Sequence, residues 1–217
     1  MQMPPEMITL PYKFERKAEQ FIDDDNRYPE SLVRYFLNRY TQEKDKVFDP
    51  FVGLGTTMFV CEELNRIPYG IEADRKRYEW TAAQLEHFTH IFWEDSAKMQ
   101  SLGLPKMDFA ITSPPFMARH HKWNPLYGGD PDHAGYNKYL KRMSFIFKKL
   151  SFVLKRNAQL VLQLDNIHGK SFTPLIRDLG LEAAKSFRQD DEIIIRWQGG
   201  ADDYPYTHCL IFKNTQK

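Results

Sequence analysis

Apolar residues recur along this chain in two rhythms, one helical and one alternating, and the switches between them divide the sequence into elements. After Arg27-Tyr28-Pro29, with Pro29 near the first turn, Leu32, Val33, Phe36, Leu37 and Tyr40 fall on one stripe of an α-helix. A short apolar run from Lys46 to Phe48 then stops at Asp49, a glycine-bearing turn follows from Phe51 to Gly55, and an apolar helix continues through Leu64. Tyr69, Gly70 and Ile71 lead into Glu72, a helical stretch runs from Arg75 to about His87, and Ile91, Phe92 and Trp93 form a third run. Met107 to Thr112 predicts a fourth strand and Gln159 to Leu164 a fifth, separated by a long helix from Tyr136 to Leu154 with Leu140, Met143, Phe147 and Leu150 on one face. Glu192 to Trp197 and His208 to Phe212 are β-rich, and the turn-forming segment Gly199 to Pro205 between them predicts an antiparallel hairpin.

Strands alternating with helices require a parallel sheet covered on both faces. The expected architecture is therefore α/β: a seven-stranded, mainly parallel, Rossmann-like sheet ending in an antiparallel hairpin. Residues 1–26 mix Pro4, Pro5 and Pro11 with the acidic run Asp23, Asp24, Asp25, and read as an extended arm on or near the surface. Residues 27–217 form the expected domain.

Composition narrows the partners. The 217 residues carry 30 Lys+Arg against 29 Asp+Glu, a net charge of +1, so a nucleic acid must be held by a local patch. Cys61 and Cys209 are far apart with apolar neighbours, which predicts buried free thiols in a reducing compartment. No apolar run is long enough for a membrane span, and the opening residues lack a basic-then-apolar leader, so the expected location is cytoplasmic, without a membrane partner.

The turn reads Asp49-Pro50-Phe51-Val52-Gly53-Leu54-Gly55-Thr56-Thr57. Its glycines permit positive φ and close approach of a ligand, at the strand edge where open α/β sheets bind. A phosphate-cradling loop would need a lysine after Gly55, and a dinucleotide fingerprint a third glycine where Met58 stands. A cofactor without a pyrophosphate remains. Asp49, Glu72 and Asp95 follow three successive strands; a single acid there commonly caps a turn, but three around one glycine turn suit a cationic nucleoside.

The fourth strand ends in Thr112-Ser113-Pro114-Pro115-Phe116. Residues before proline are kept out of helical geometry, so the segment forms a rigid ledge with one hydroxyl, free carbonyls and an aromatic ring. Such a ledge can accept both hydrogens of an exocyclic amine while Phe116 stacks on the heterocycle.

Together, the turn and the ledge resemble the motifs of the amino-methyltransferases of DNA, which use S-adenosyl-L-methionine to methylate N4 of cytosine or N6 of adenine. Arg27-Tyr28-Pro29-Glu30 is similar to the family's helix-opening segment, which closes over the methionine end of the cofactor. The resemblance implies that Tyr28, Pro29, Asp49, Pro50, Phe51, Gly53 and Gly55 face the methionine part, Thr56 and Thr57 its carboxylate, Glu72 the ribose and Asp95 the adenine, with Thr112 also among the cofactor-binding residues. Ser113, Pro114, Pro115 and Phe116 would hold the target base. Serine first in this tetrapeptide is typical of the N4-cytosine enzymes. The implied mechanism is direct transfer to a flipped-out or single-stranded base, with no cysteine nucleophile.

Family members normally carry a target-recognition domain, for which neither the stretch between the motifs nor the one after them has room. The loop from Met117 to Gly135, containing Arg119, His120, His121, Lys122, Trp123 and Tyr127, is the expected substrate-contacting element. His120, His121 and His133 lack the spacing of a metal site, and none is expected. Lys138, Lys141, Arg142, Lys148 and Lys149 read as a solvated helix face, with an extension of the basic face as the alternative, and Asp190, Asp191, Asp202 and Asp203 as a side that avoids nucleic acid. The expected partner is DNA, with RNA or an adenine target as the alternative, and a homodimer or a separate chain adding specificity. A catalytically silent binding subunit would have no need of the ledge.

Overall fold

A computed structural model describes residues 5–18, 20–21, 26–199 and 205–216. Pro4, the acidic run Asp23 to Asp25 and the hairpin tip with Asp202 and Asp203 lie outside the described residues.

The strands are β1 (Glu6–Pro11), β2 (Lys46–Asp49), β3 (Ile67–Glu72), β4 (Ile91–Trp93), β5 (Met107–Thr112), β6 (Leu154–Leu164), β7 (Arg188–Gln198) and β8 (Tyr206–Lys213). They form one sheet in the order β1-β7-β8-β6-β5-β2-β3-β4. The helices are α1 (Glu30–Tyr40), α2 (Thr56–Glu63), α3 (Arg75–Ala82), α4 (Tyr136–Val153) and α5 (Leu175–Ala184). Strands β2 to β6 pair in parallel, whereas β8 runs antiparallel to both β6 and β7, as the predicted hairpin requires.

Strand periodicity divides the core between the two faces. Phe48, Ala110, Leu160, Leu162, Leu210 and Phe212 pack with α4 and α5, while Val47, Phe109, Ile111, Val161, Ile193 and Ile211 pack with α1 and α2. Cys61 and Cys209 are buried free thiols in the second cluster.

The structure differs from the sequence reading in three places. The sheet has eight strands, because part of the proline-flanked arm, Glu6–Pro11, pairs in parallel with β7 as an edge strand. Proline is tolerated there because an outer strand leaves one row of backbone groups unpaired. Helix α3 stops at Ala82, short of His87, and α5 stands where no helix was expected, although Leu175, Leu179 and Ala183 repeat at helical spacing behind Pro174. Among the described residues, no helix is long and apolar enough to cross a membrane.

Candidate active site

The chain order fixes where a ligand can enter. After β2 the sheet grows outward through β3 and β4, and on the other side of β2 through β5 and β6, so β2 and β5 flank the switch point of the sheet. Asp49 ends β2 and Thr112 ends β5. Both are fully buried, and the Thr112 hydroxyl donates to Asp49 Oδ1 at 2.6 Å.

Asp49 is a hub. Its Oδ1 also accepts from Phe51 N at 2.9 Å, and its Oδ2 accepts from Thr57 Oγ1 at 2.8 Å and Tyr28 Oη at 3.3 Å. Tyr28 and Thr57 also share a hydroxyl–hydroxyl bond at 2.6 Å. Burial raises the Asp49 carboxyl above its ordinary value, while the Thr112, Phe51 N, Thr57 and Tyr28 donors pull it back down. Burial and the adjacent carboxylate push the Tyr28 phenol well up, which keeps it protonated.

The turn after Asp49 has the left-handed backbone its glycines permit: φ is +57° at Gly53 and +77° at Gly55. The space a Cβ would occupy at Gly53 is open, with no atom within 4 Å, whereas a Cβ on Gly70 of β3 would stand 2.2 Å from Val52 Cγ2. Gly70 therefore lets the turn lie against the sheet, and Gly53 leaves its outer side clear. Helix α2 starts here with no side-chain cap, and the Thr56 hydroxyl in its first turn is buried with no hydrogen-bond partner among the described residues. An unpaired buried hydroxyl beside a helix N-terminus suits an anionic ligand group.

Glu72 at the end of β3 accepts from Gly53 N at 2.7 Å and from Asp74 N at 2.8 Å. Burial nonetheless raises its carboxyl to about 6. Asp95, after β4, caps the following turn by accepting from Ala97 N and forms an ion pair with Arg142 Nη2 at 2.5 Å. Arg142 therefore pairs with Asp95 instead of standing on a solvated helix face, because α4 packs against the segment Ser96–Leu102 that follows Asp95.

The arm reaches the site as well. The buried carboxylate of Glu30, at the start of α1, accepts from the backbone of Glu15 and Arg16 at 3.2 and 3.3 Å. Arg34 bridges Glu15 and Glu63, and Arg16 lies 4.2 Å above the Phe59 ring. Tyr28 and Pro29 are held in a buried corner between the arm and the glycine turn.

On the ledge, Pro114 is buried, Ser113 and Pro115 are partly exposed, and Phe116 is 38% exposed. In the loop beyond, Arg119 pairs with the buried Asp178 of α5 at 2.6 Å and lies over the Tyr136 ring, and Tyr127 lies between the His133 ring and Arg142. His120, His121, Lys122 and Trp123 are exposed. Asn124, fully buried, organises this loop by donating to His133 O and accepting from Leu126 N. Sequence reading missed Asn124 and Asp178; a polar residue inside an apparent loop carries no periodic signal. Among the described residues, no cluster of His, Cys, Asp or Glu could hold a metal ion.

The fold is that of the S-adenosylmethionine-dependent methyltransferases. Similar solved structures include TrmN from Thermus thermophilus (TM-score 0.61, 16% identity, 85% of this chain and 48% of that one). A Pyrococcus furiosus methyltransferase (TM-score 0.55, 15% identity, 85% and 83%) is another, as is the magnesium protoporphyrin IX methyltransferase of Synechocystis, solved with bound SAM (TM-score 0.56, 14% identity, 86% and 77%). Within that fold, residues 9–84, which hold the glycine turn and Glu72, match the N6/N4 methyltransferase family model, described as a DNA methylase. Two type II methyltransferases are 40% identical over short stretches: M.BglII of Bacillus subtilis over 50 residues and M.HpaI of Haemophilus parainfluenzae over 58. These stretches span 23% and 27% of this chain, and 14% and 18% of the relatives. The family match and the relatives support the resemblance to the DNA amino-methyltransferases.

Proposed function

We propose that this chain transfers the methyl group of S-adenosyl-L-methionine to the exocyclic N4 amine of cytosine in DNA. The observation that carries the reading is the hydrogen bond from Thr112 to Asp49, which fastens the Ser113-Pro114-Pro115-Phe116 ledge to the glycine turn. The site of the methyl donor and the site of the base thereby share one wall.

The residues fit the cofactor. The orphaned Thr56 hydroxyl and the start of α2 suit its carboxylate, the open face of Gly53 admits it, and Glu72 can accept from ribose hydroxyls. Asp95, steadied by Arg142, can accept from the adenine amine, and Tyr28 with Pro29 walls the methionine end. When bound, the cofactor supplies an electrophilic sulfonium methyl. Asp49 already accepts from four donors, so its part is to position Phe51, Thr57, Tyr28 and Thr112 and to lend the site a negative charge that favours a cation.

The amine of a nucleobase is a weak nucleophile because its lone pair is delocalised into the ring. Ser113 Oγ and the Pro114 carbonyl accept its two hydrogens, which draws the nitrogen toward a pyramidal shape and frees the lone pair. The methylated nitrogen gives up one of these protons to water, so the products are the neutral N-methyl amine, S-adenosylhomocysteine and a proton. Phe116 stacks on the ring, and the base must leave the duplex to reach it. Serine at position 113 is the form typical of the N4-cytosine enzymes that the ledge resembles, and in this reading it favours cytosine over adenine. Lys122, Trp123, His120 and His121 face the nucleic acid, while Arg119 and Tyr127 hold the loop from within. A second copy or a separate specificity chain supplements recognition.

The test is methyl transfer from labelled cofactor to unmethylated DNA by the wild-type chain and by Ser113→Ala. Label incorporation by the wild type, lost at least tenfold in the variant with cofactor affinity unchanged, is the expected result. Equal incorporation by both would remove the ledge from the chemistry.

A further inference from the structure

A second loop stands beside the substrate loop. Because β5 and β6 are parallel neighbours, the segment after Leu164 leaves the sheet next to the ledge. It is a closed loop: Ile167 and Thr173 exchange backbone hydrogen bonds at 3.1 and 2.9 Å, and Asn166 Oδ1 accepts from Ile176 N. It is also fastened to the substrate loop, with Arg119 N donating to Thr173 Oγ1 at 3.0 Å and Ser171 Oγ lying 3.5 Å from His120 Nδ1.

The tip of this loop has the chemistry of a nucleic-acid contact. His168, Lys170 and Phe172 are exposed, Phe172 by 52%, and the His168 and Phe172 rings lie 5.2 Å apart. The one carboxylate of the segment, Asp165, is turned away from the tip: its Oδ2 accepts from Gln163 Nε2 at 2.8 Å and Thr207 Oγ1 at 2.9 Å. What remains is a cation beside two rings, continuous with His121 and Lys122 across the contact between the loops.

We infer that residues 166–173 form a second DNA-binding element, in which Phe172 and His168 stack on a nucleotide next to the target base and Lys170 contacts its phosphate. The inference rests on the DNA methyltransferase reading above. Stacking tolerates any base, and a lysine at a phosphate carries no sequence information, so this element supplies affinity and register without specificity. A chain with a net charge of +1 gains most from such a local arrangement.

The experiment measures binding of a labelled cytosine-containing duplex to the full chain, with S-adenosylhomocysteine present, for wild type, Phe172→Ala, Phe172→Trp, Lys170→Ala and Lys170→Glu. Phe172→Ala should weaken binding by about 5- to 150-fold and Phe172→Trp should retain it. Lys170→Ala should reduce the slope of log affinity against log salt by about 0.9. Melting temperature and cofactor affinity should be unchanged, and methyl transfer at saturating DNA should keep its rate while KM rises. DNA affinity within twofold of wild type in both Phe172→Ala and Lys170→Glu would overturn the inference. So would an effect confined to an RNA of the same sequence. A wild-type chain that methylates DNA while these variants match its KM loses only this inference; a wild-type chain that neither binds nor methylates DNA loses the functional reading as well.

Discussion

Thr112 and Asp49 lie 63 positions apart in sequence, yet the threonine hydroxyl meets the aspartate Oδ1 at 2.6 Å with both side chains buried. The bond crosses the switch point of the sheet and joins the two halves of the site. Thr112→Val removes the donor and leaves the carboxylate short of a partner, which should cost about 1.5–3 kcal/mol in urea denaturation. Thr112→Ser should recover most of that loss. Equal stability of the valine variant would mean that the bond holds nothing in place.

Thr56 predicts opposite signs for stability and binding. Its hydroxyl is buried without a partner among the described residues, so the isosteric Thr56→Val should leave the free protein as stable or up to about 1 kcal/mol more stable. Cofactor affinity, measured by calorimetry, should fall by about tenfold, one hydrogen bond to a charged group. An unchanged affinity would remove Thr56 from the cofactor site.

The glycines separate in the same way. Gly53→Ala places a methyl group in open space at φ +57°, so it should cost only about 1–2 kcal/mol of stability, yet it fills the clear side of the turn and should weaken cofactor binding sharply. Gly70→Ala drives a Cβ to within 2.2 Å of Val52 Cγ2 and should destabilise the fold itself. Denaturation and cofactor titration of the two variants should therefore rank them in opposite orders.

Glu72 gives a pH signature. Its carboxyl stands at about 6 in the folded chain against an ordinary 4.5, so the folded state binds the proton more tightly than the unfolded one. Its contribution is most favourable below about pH 4.5 and is lost as pH rises through 6, a change of about 2 kcal/mol that Glu72→Gln should abolish. Cofactor binding should run the other way, strengthening through pH 6 as the carboxylate forms to accept the ribose hydroxyls. A pH-independent affinity would place the ribose elsewhere.

Much of this arrangement was legible in the chain because it is built from local rules. Asp49 at the end of an apolar run, glycines where φ must be positive, and prolines after Thr112 each announce themselves by residue type. Parallel strands buried on both faces, such as Phe109 to Ile111, stand out as continuous apolar runs. What escaped depends on distance. The strand Glu6–Pro11 is mostly exposed and proline-bounded, so only its pairing with β7 defines it. Arg142 sits among lysines on a helix that reads as solvated until Asp95 arrives from β4 to claim it. The ion pair of Arg119 with Asp178 is invisible in the sequence because α5, which carries the aspartate, was not recognised there. In each case the partner is tens of residues away, where periodicity carries no information.

Nucleoside analysis of the methylated DNA distinguishes transfer to the N4 amine of cytosine from transfer to any other position. After incubation of the chain with methyl-labelled S-adenosylmethionine and unmethylated duplex, the DNA is digested to nucleosides and the labelled species are identified by mass. Label is expected in N4-methyl-2′-deoxycytidine, reduced at least tenfold by Ser113→Ala. Label in N6-methyl-2′-deoxyadenosine would contradict the cytosine assignment, and label on carbon 5 of cytosine would contradict direct transfer to the amine.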